Sequence, residues 1–289
     1  MGLAAFGDVL ETVLAAGTPR APVFIVTIYG DAVEPRGGTL WMGDLVACCA
    51  AQGISESLVR TAVSRLVAGG KLLGERIGRK SYYRLTDETQ AEFREASQVL
   101  YAPPPPASGW LIALQPGEAL APGWAPMGQG SAIAPAREDI VHPGGPVLSA
   151  ETLKNPEGLR AYAGDRWELE TVADRYRRFL VRFEGLGKRL ARGTGSLDLS
   201  GELALALRLQ LVHHYRLAAL KDPRLPRAAW PQDWPAEAAR RLFVEAYLAL
   251  AKPADDHIGR TFHDARGLLP PVTEATMMRL NRLGRETVA

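Results

Sequence analysis

Ser57, Arg60, Thr61 and Ser64 are the residues in this sequence whose types and spacing first suggest chemistry. Small hydroxyls beside a guanidinium suit a groove lined with base edges and phosphates, because they allow close approach and supply donors. On a helical wheel of about 100° per residue they fall, with Ala68, within about 60° of one direction. Arg65 lies on the rim, and Leu58, Val59, Ala62, Val63, Leu66 and Val67 take the other side. This pattern predicts a helix with a broad apolar face to bury and one narrow polar stripe to present. Shortly after come KLLGER and KSYYRLT, two alternating runs separated by IGR, which predict a hairpin with Gly78 at its turn. Arg76, Arg79 and Lys80 cluster around that tip, where the glycine lets the backbone approach a phosphate or a minor groove.

Charge supports an anion as the partner. From Ser55 to Arg84 seven arginines and lysines stand against two glutamates, in a chain whose formal net charge is only +2. A local basic patch on a nearly neutral protein is the footprint of an anion-binding module. The chain has 289 residues, 47% hydrophobic and 23% charged, enough for two or three compact units. It holds no apolar run of about eighteen residues, so no membrane span is expected. The first seventeen residues carry Asp8 and Glu11 where a secretory leader would carry bases, and read as a leading helix or arm. Cys48 and Cys49 are adjacent, a spacing that suits neither a disulfide nor a metal, and buried thiols in a reducing cytoplasm are expected.

Several elements must position these residues. APVFIVTIYGDAVEP is helix or strand on pattern alone. TLWMGDLVACCAAQG has a helical period with Trp41, Leu45, Val46 and Cys49 on one side, and Gly53 stops it. Ser55 is the expected N-cap of the next helix, which ends at Gly69-Gly70. Helix, turn, helix and basic hairpin in this order predict a helix-turn-helix that places its second helix in a major groove. A further helix follows with Thr86 or Asp87 as cap, and APPPPASG marks a stiff boundary at residues 102–109. WLIAL and GSAIAPA read as short strands. From about Glu157 long helical patterns dominate, and the residues from about Leu268 form an amphipathic tail.

The runs FIVTIYGDAVEPRGGTLWMGDLV, GISESLVRTAVSRLVAGGKL and RIGRKSYYRLT resemble the PaaX family, repressors of phenylacetic-acid degradation operons. RYRRFLVRFEGL and HHYRLAALKDPRLPRAAWPQDWPAEAARRLFVEAYLAL look like that family's C-terminal helices, so the resemblance covers about residues 20–101 and 157–252. It implies an α+β protein: a winged helix-turn-helix domain with an N-terminal arm over 1–101 and a linker over 102–109. A small, reduced ferredoxin-like α/β domain would follow over 110–156, and a helical effector and dimerisation domain with a tail over 157–289. It also implies a cytoplasmic homodimer on double-stranded operator DNA, with no cofactor, released by phenylacetyl-CoA or a related thioester. DNA contacts are assigned to Ser57, Arg60, Thr61, Ser64, Arg65, Arg76, Arg79 and Lys80. The phosphates of such a ligand suit arginine, and Tyr176, Arg177, Arg178, His213, His214 and Arg216 are the candidate ligand residues.

Other constellations are weaker. His213-His214 is not HExxH, GLGKRLARGTG is not a P-loop, and no Gly-x-Ser-x-Gly elbow occurs, so catalysis is not expected. DDHIGRTFHD, Asp255 to Asp264, could hold a metal but reads better as a solvated loop. Two rival functions remain. One is an acyl-CoA-handling enzyme with a basic docking module; the other is an architectural DNA-binding protein that answers to no ligand.

Overall fold

The computed structural model describes residues 9, 11–15, 17–103, 106–117, 119–152, 154–191 and 199–287. The protein mixes helices with two antiparallel sheets. It forms two compact units, and neither follows the chain continuously. Met1–Pro103, Arg178–Leu217 and Ala238–Ala289 make the first; Pro104–Arg177 and Ala218–Glu237 make the second. The expected boundaries near 101, 109 and 156 run along the chain, whereas the units divide the C-terminal helices between them. Among the described residues no helix is long and apolar enough to cross a membrane. Of the expected N-terminal arm, residues 11–15 are helical and the rest lies mostly outside the described residues.

The first unit opens with α1 (Ala21–Ile28), whose β-branched run is a buried helix rather than a strand. A π-helical turn, Tyr29–Val33, and a 3-10 turn, Glu34–Arg36, follow. Next come β1 (Thr39–Trp41), α2 (Met42–Ala50), α3 (Glu56–Ala68), β2 (Leu72–Ile77), β3 (Lys80–Leu85) and α4 (Asp87–Tyr101). The sheet order is β1-β3-β2, with Trp41 opposite Tyr82 and Ile77 opposite Lys80. Trp41 therefore belongs to a strand, not to the helical face read from the sequence. Thr86 caps α4 by accepting from the Thr89 N–H. Ser55 occupies the N-cap position of α3 but makes no capping bond; its hydroxyl meets that of Ser57 at 3.2 Å. Cys48 and Cys49 are buried thiols, and burial pushes Cys49 up to about 12, which keeps it inert.

Three long helices, α6 (Leu169–Ala191), α7 (Gly201–Ala219) and α8 (Ala236–Thr261), enter this unit with the residues assigned to it above, and α9 (Glu274–Glu286) closes it. Helix α8 runs through Pro253 and past it, so Asp255 to Thr261 are helical, not loop. The residues of DDHIGRTFHD also go separate ways. Asp255 is buried on Arg36 and Arg208, Asp256 pairs with Lys252, His263 with Asp44 and Asp264 with Arg266.

The interior of this unit is polar at its centre. Asp31, turned inward by the π-helical turn, is 1% exposed. Its carboxylate accepts from Arg208 Nε at 2.9 Å, from Arg279 at 3.2 Å and from the hydroxyls of Tyr101 and Tyr247, both at 2.9 Å. Asp255 Oδ1 accepts from Arg208 at 2.7 Å and from Arg36 at 2.8 Å. Arg36 also donates to the carbonyls of Ala32, Pro270 and Pro271. Burial alone would push the Asp31 carboxyl up; Arg208 and Arg279, with the two tyrosines, outweigh it and hold it below the usual carboxylate range. The tail read as amphipathic packs through Arg279 as well as Leu283: Arg279 is 6% exposed and lies 3.8 Å over the Tyr101 ring.

The second unit holds β4 (Trp110–Leu114), β5 (Ala125–Gly128), β6 (Ser131–Pro135) and β7 (Val147–Ala150) in the order β5-β6-β4-β7, all antiparallel. Strand order and sense are those of a ferredoxin-like sheet. The helices that such a fold sets in its two crossovers are absent from the described residues between β4 and β7. After β4, Gln115 takes a φ of 47°, and Pro122 would end within six residues any helix that Pro116 began. The apolar cover comes from later in the chain. Trp110, Ala125 and Ile133 pack with Ala163 of α5 (Pro156–Arg166), Leu169 and Leu225.

Removing Asp31 leaves Arg208 and Arg279 buried without their carboxylate, which costs about 3–5 kcal/mol in comparable cases. Asp31→Ala should lower the urea unfolding midpoint accordingly, whereas Glu56→Gln at an exposed pair should leave it within about 0.5 kcal/mol. The Asp31 carboxyl is depressed in the folded state. Its contribution is therefore complete above the unfolded value of about 3.9 and is lost as pH falls through the folded value. Titrating stability against pH in wild type and Asp31→Asn checks that sign.

Candidate nucleic-acid interface

Helix α2 ends in a turn in which the Cys49 carbonyl accepts from the N–H groups of Gln52 and Ile54, and Gly53 takes a φ of 74°. That conformation favours glycine and reverses the chain into α3. Helix α3 is held by Val59, Ala62 and Val63, all buried. The buried face is narrower than the wheel predicts: Leu58 is 57% exposed and Val67 37%. Ser57, Arg60, Thr61, Ser64 and Arg65 all reach solvent, and so do Arg76, Arg79 and Lys80 on the hairpin. The structure thus places the eight residues on one exposed helix face and on the hairpin that follows it.

Their surroundings differ. Arg60 is held by Glu56 one turn back, at 2.7 Å, with both side chains more than half exposed. Arg76 donates to the Gly78 carbonyl at 3.3 Å. Lys80 lies 4.6 Å over the Trp41 ring. Arg65, Arg79 and Arg84 have no side-chain partner among the described residues. Among the described residues, Arg76 and Arg79 at the tip thus have no acidic side chain as an ion-pair partner. Gly78 takes a φ of 60° with open space around its missing side chain, so the tip can meet another backbone closely.

Trp41 is a residue that the sequence reading missed. Its N–H donates to the His263 carbonyl, its ring stands edge-on to the His263 ring at 6.1 Å, and a side chain at position 43 would strike it at 2.5 Å. The available signal was strand pairing: Trp41 faces Tyr82, and Lys80 is the diagonal neighbour on the same face. Next to it, Asp44 accepts from the His263 N–H and ring Nδ1, at 2.6 and 3.0 Å. Burial holds the Asp44 carboxyl above its usual range in spite of these bonds.

The six residues proposed for a ligand fall in both units. In the second, Tyr176 is buried, its hydroxyl donating to Asp222 at 3.0 Å and its ring edge-on to Trp234. Arg177 is exposed and pairs with Glu170 and Asp174. In the first, Arg178 is exposed, while His213 and Arg216 meet on Thr27 of α1. The Thr27 hydroxyl lies 3.0 Å from His213 Nδ1 and accepts from Arg216 Nε at 2.9 Å. His214 packs beside Phe183 and His213, and its buried Nε2 has no partner among the described residues. Burial, with Arg216 and Arg182 nearby, pushes His213 down to about 3; burial, Arg182 and His213 do the same to His214. Tyr176, His213 and Arg216 thus serve as packing and hydrogen-bonding anchors, each within its own unit.

Comparison with known proteins gives two family matches. Residues 20–89 match a family described as PaaX-like protein, and residues 167–260 match its companion, the PaaX-like protein C-terminal domain. The first match contains α1 through β3, with all eight residues of the exposed basic set. A curated protein from Escherichia coli (strain K12), "Transcriptional repressor PaaX", is 29% identical, with 97% of each chain covered. Among solved structures, the uncharacterized protein Rv0674 from Mycobacterium tuberculosis aligns with 74% of this chain and 89% of its own, at 21% identity and a TM-score of 0.42.

Against duplex DNA, Arg79→Ala should weaken binding to all sequences alike and flatten the log–log salt slope by about 0.9 for the lost phosphate contact. Arg60→Ala should also relax sequence preference; unchanged affinity and preference would remove Arg60 from the base-reading set. Glu56→Gln frees the Arg60 guanidinium and should tighten binding about twofold, the size of an exposed helical pair. Both histidines are neutral in the fold and bind protons more readily when unfolded. Stability should therefore hold above about pH 6.5 and fall from there toward pH 3, less steeply in His214→Phe.

Proposed function

This chain belongs to the PaaX family, and on that premise we propose that it is a DNA-binding transcriptional repressor of phenylacetate catabolism. In this reading residues 39–85 form a winged helix-turn-helix. Helix α3 enters the major groove, with Ser57, Arg60, Thr61 and Ser64 on base edges and Arg65 toward the backbone. The hairpin is the wing, with Arg76, Arg79 and Lys80 on phosphates. The observation that carries the reading is the exposure of all eight side chains on one helix face and the adjoining hairpin, where no internal acid pairs with Arg65 or Arg79 among the described residues.

We further propose a cytoplasmic homodimer that binds two half-sites of a roughly palindromic operator. An aryl-acetyl-CoA thioester would release it by binding more tightly to a form whose half-site spacing no longer fits, since a ligand with equal affinity for both forms shifts nothing. Arg177 and Arg178 are the exposed members of the proposed ligand set, and guanidinium groups suit phosphates. No catalytic step is assigned.

Binding to the chain's own upstream promoter at fixed salt, with and without phenylacetyl-CoA, tests the whole reading. Specific binding lost with the thioester but kept with free phenylacetate or CoA is the expected result. Tight binding unmoved by the thioester would discard the effector and leave a ligand-independent DNA-binding protein. Absence of specific binding would discard the repressor itself, and turnover of the thioester would then favour the acyl-CoA-handling enzyme.

A further inference from the structure

Of the large apolar side chains on α3, Leu58 is the most exposed, at 57%, and it sits in the first turn of the helix. The face of α3 that the rest of the unit covers is formed by Val59, Ala62 and Val63, all buried. On a wheel of about 100° per residue Leu58 lies outside that face, about 100° from Ser57, and Arg65 lies about 80° from Ser57 on the same side. Leu58 therefore borders the polar stripe, three residues before Thr61 and about two turns before Arg65. Helical side chains lean toward the N-terminus of their helix, so Leu58 covers the leading end of α3. Val67, the other exposed apolar residue of α3, is 37% exposed, lies about 280° from Ser57 and falls in the last turn.

In the repressor reading the leading end of α3 enters the major groove first. A leucyl group there offers neither donor nor acceptor. Set against the amino group of cytosine or adenine, or against the O6 of guanine, it would strip water from a polar edge and return no hydrogen bond. Thymine is the one base that presents a methyl group in that groove. Burying one methyl group against the leucyl side chain is worth about fourfold in affinity. Charge supports a polyanion as the occupant of this edge, because Arg65 beside it has no side-chain partner among the described residues.

We propose that Leu58 reads thymine: its side chain rests on the 5-methyl group of one T·A pair in the major groove, while Ser57, Arg60, Thr61 and Ser64 supply the polar contacts beside it. The inference rests on the repressor reading above. It adds to that reading an apolar element of the sequence code, carried by a residue whose type alone assigns it to the core. The discrimination is by a single methyl group. Uracil, which pairs as thymine does and lacks only that methyl, is therefore the base that Leu58 distinguishes from it.

The full-length chain is titrated by anisotropy, at fixed salt, against its upstream promoter duplex and against copies in which single thymines of the bound segment are replaced by uracil. Wild type should lose about fourfold at one thymine of each recognised half-site. Leu58→Ala should bind the natural duplex about as weakly as wild type binds that uracil duplex, and should no longer distinguish the two. Val67→Ala should keep the wild-type pattern. Both variants should melt with wild type, since both side chains are exposed. Uracil that costs wild type nothing at any position overturns the assignment and leaves the repressor standing, and so does a uracil penalty that persists in Leu58→Ala. A Leu58→Ala chain that weakens all duplexes alike, or that sediments differently from wild type without DNA, also overturns it, because Leu58 then serves the fold or a protein contact. Wild type that binds the promoter and unrelated duplex alike discards the repressor reading, and the base contact with it.

Discussion

The carboxylate of Asp31 is the point on which the first unit depends. Two buried guanidiniums and two tyrosine hydroxyls converge on it from α4, α7, α8 and α9, elements that are up to 248 residues apart in sequence. Three buried arginines share two carboxylates, so the cluster carries an excess positive charge, and Arg208 Nη2 has no partner among the described residues. Replacing a buried ionic cluster by apolar residues of the same volume is often neutral or stabilising, so stability alone does not account for it. What the ionic centre adds is direction: a guanidinium tolerates one arrangement of partners, whereas leucines tolerate many. The π-helical turn serves the same end, because its wider turn swings Asp31 inward from the end of α1.

This explains why the basic helix and hairpin do not form a unit of their own. Arg36, at the end of the 3-10 turn, binds the carbonyls of Pro270 and Pro271, and Trp41 and Asp44 bind His263. The segment carrying α1 to β3 is thereby fastened to the C-terminal residues at three successive places. At the proline run near residue 103 the chain passes from one unit to the other, yet a boundary drawn there does not separate the exposed basic segment from the C-terminal helices that hold it.

Local order was legible in the sequence wherever one short rule decided it. Gly53 and Gly69-Gly70 bracket α3, Gly78 makes the hairpin turn, and Thr86 caps α4. The exposed basic set was legible for the same reason, since a polar stripe on an otherwise apolar helix has few places to go. Illegible were features fixed by distant partners. Leu58 and Val67 count as core on a wheel, but the face of α3 covered by its neighbours is only as wide as Val59, Ala62 and Val63. Asp255 sits among acids and histidines as a metal ligand would; its partners, Arg36 and Arg208, lie 219 and 47 residues away. His213 and Arg216 have the types that suit a phosphate ligand, and only the fold shows Thr27 of α1 between them. The second sheet is a middle case. β4 and β6 were legible as short apolar runs and β5 and β7 were not, while Pro122 limits any helix in the first crossover to about a turn and a half.

The tethers also constrain how a signal could reach the exposed helix. Helix α3 packs on α1, α2 and β2, whereas the C-terminal bonds described above end on α1, the 3-10 turn, β1, α2 and the turn after it. A force from the C-terminal helices can therefore arrive at α3 through α1, through α2, or through β1 and the sheet that carries β2. The α1 route runs through Asp31 and Thr27, where several charge-assisted bonds would have to break together. The α2 route runs through buried Asp44, bonded to the His263 N–H and ring, and through Gln52, which donates to the Ala206 carbonyl at a long 3.4 Å and accepts from Gln210 at 2.7 Å. Of the helical connections to α3, the one through α2 carries fewer bonds than the one through α1 and yields first.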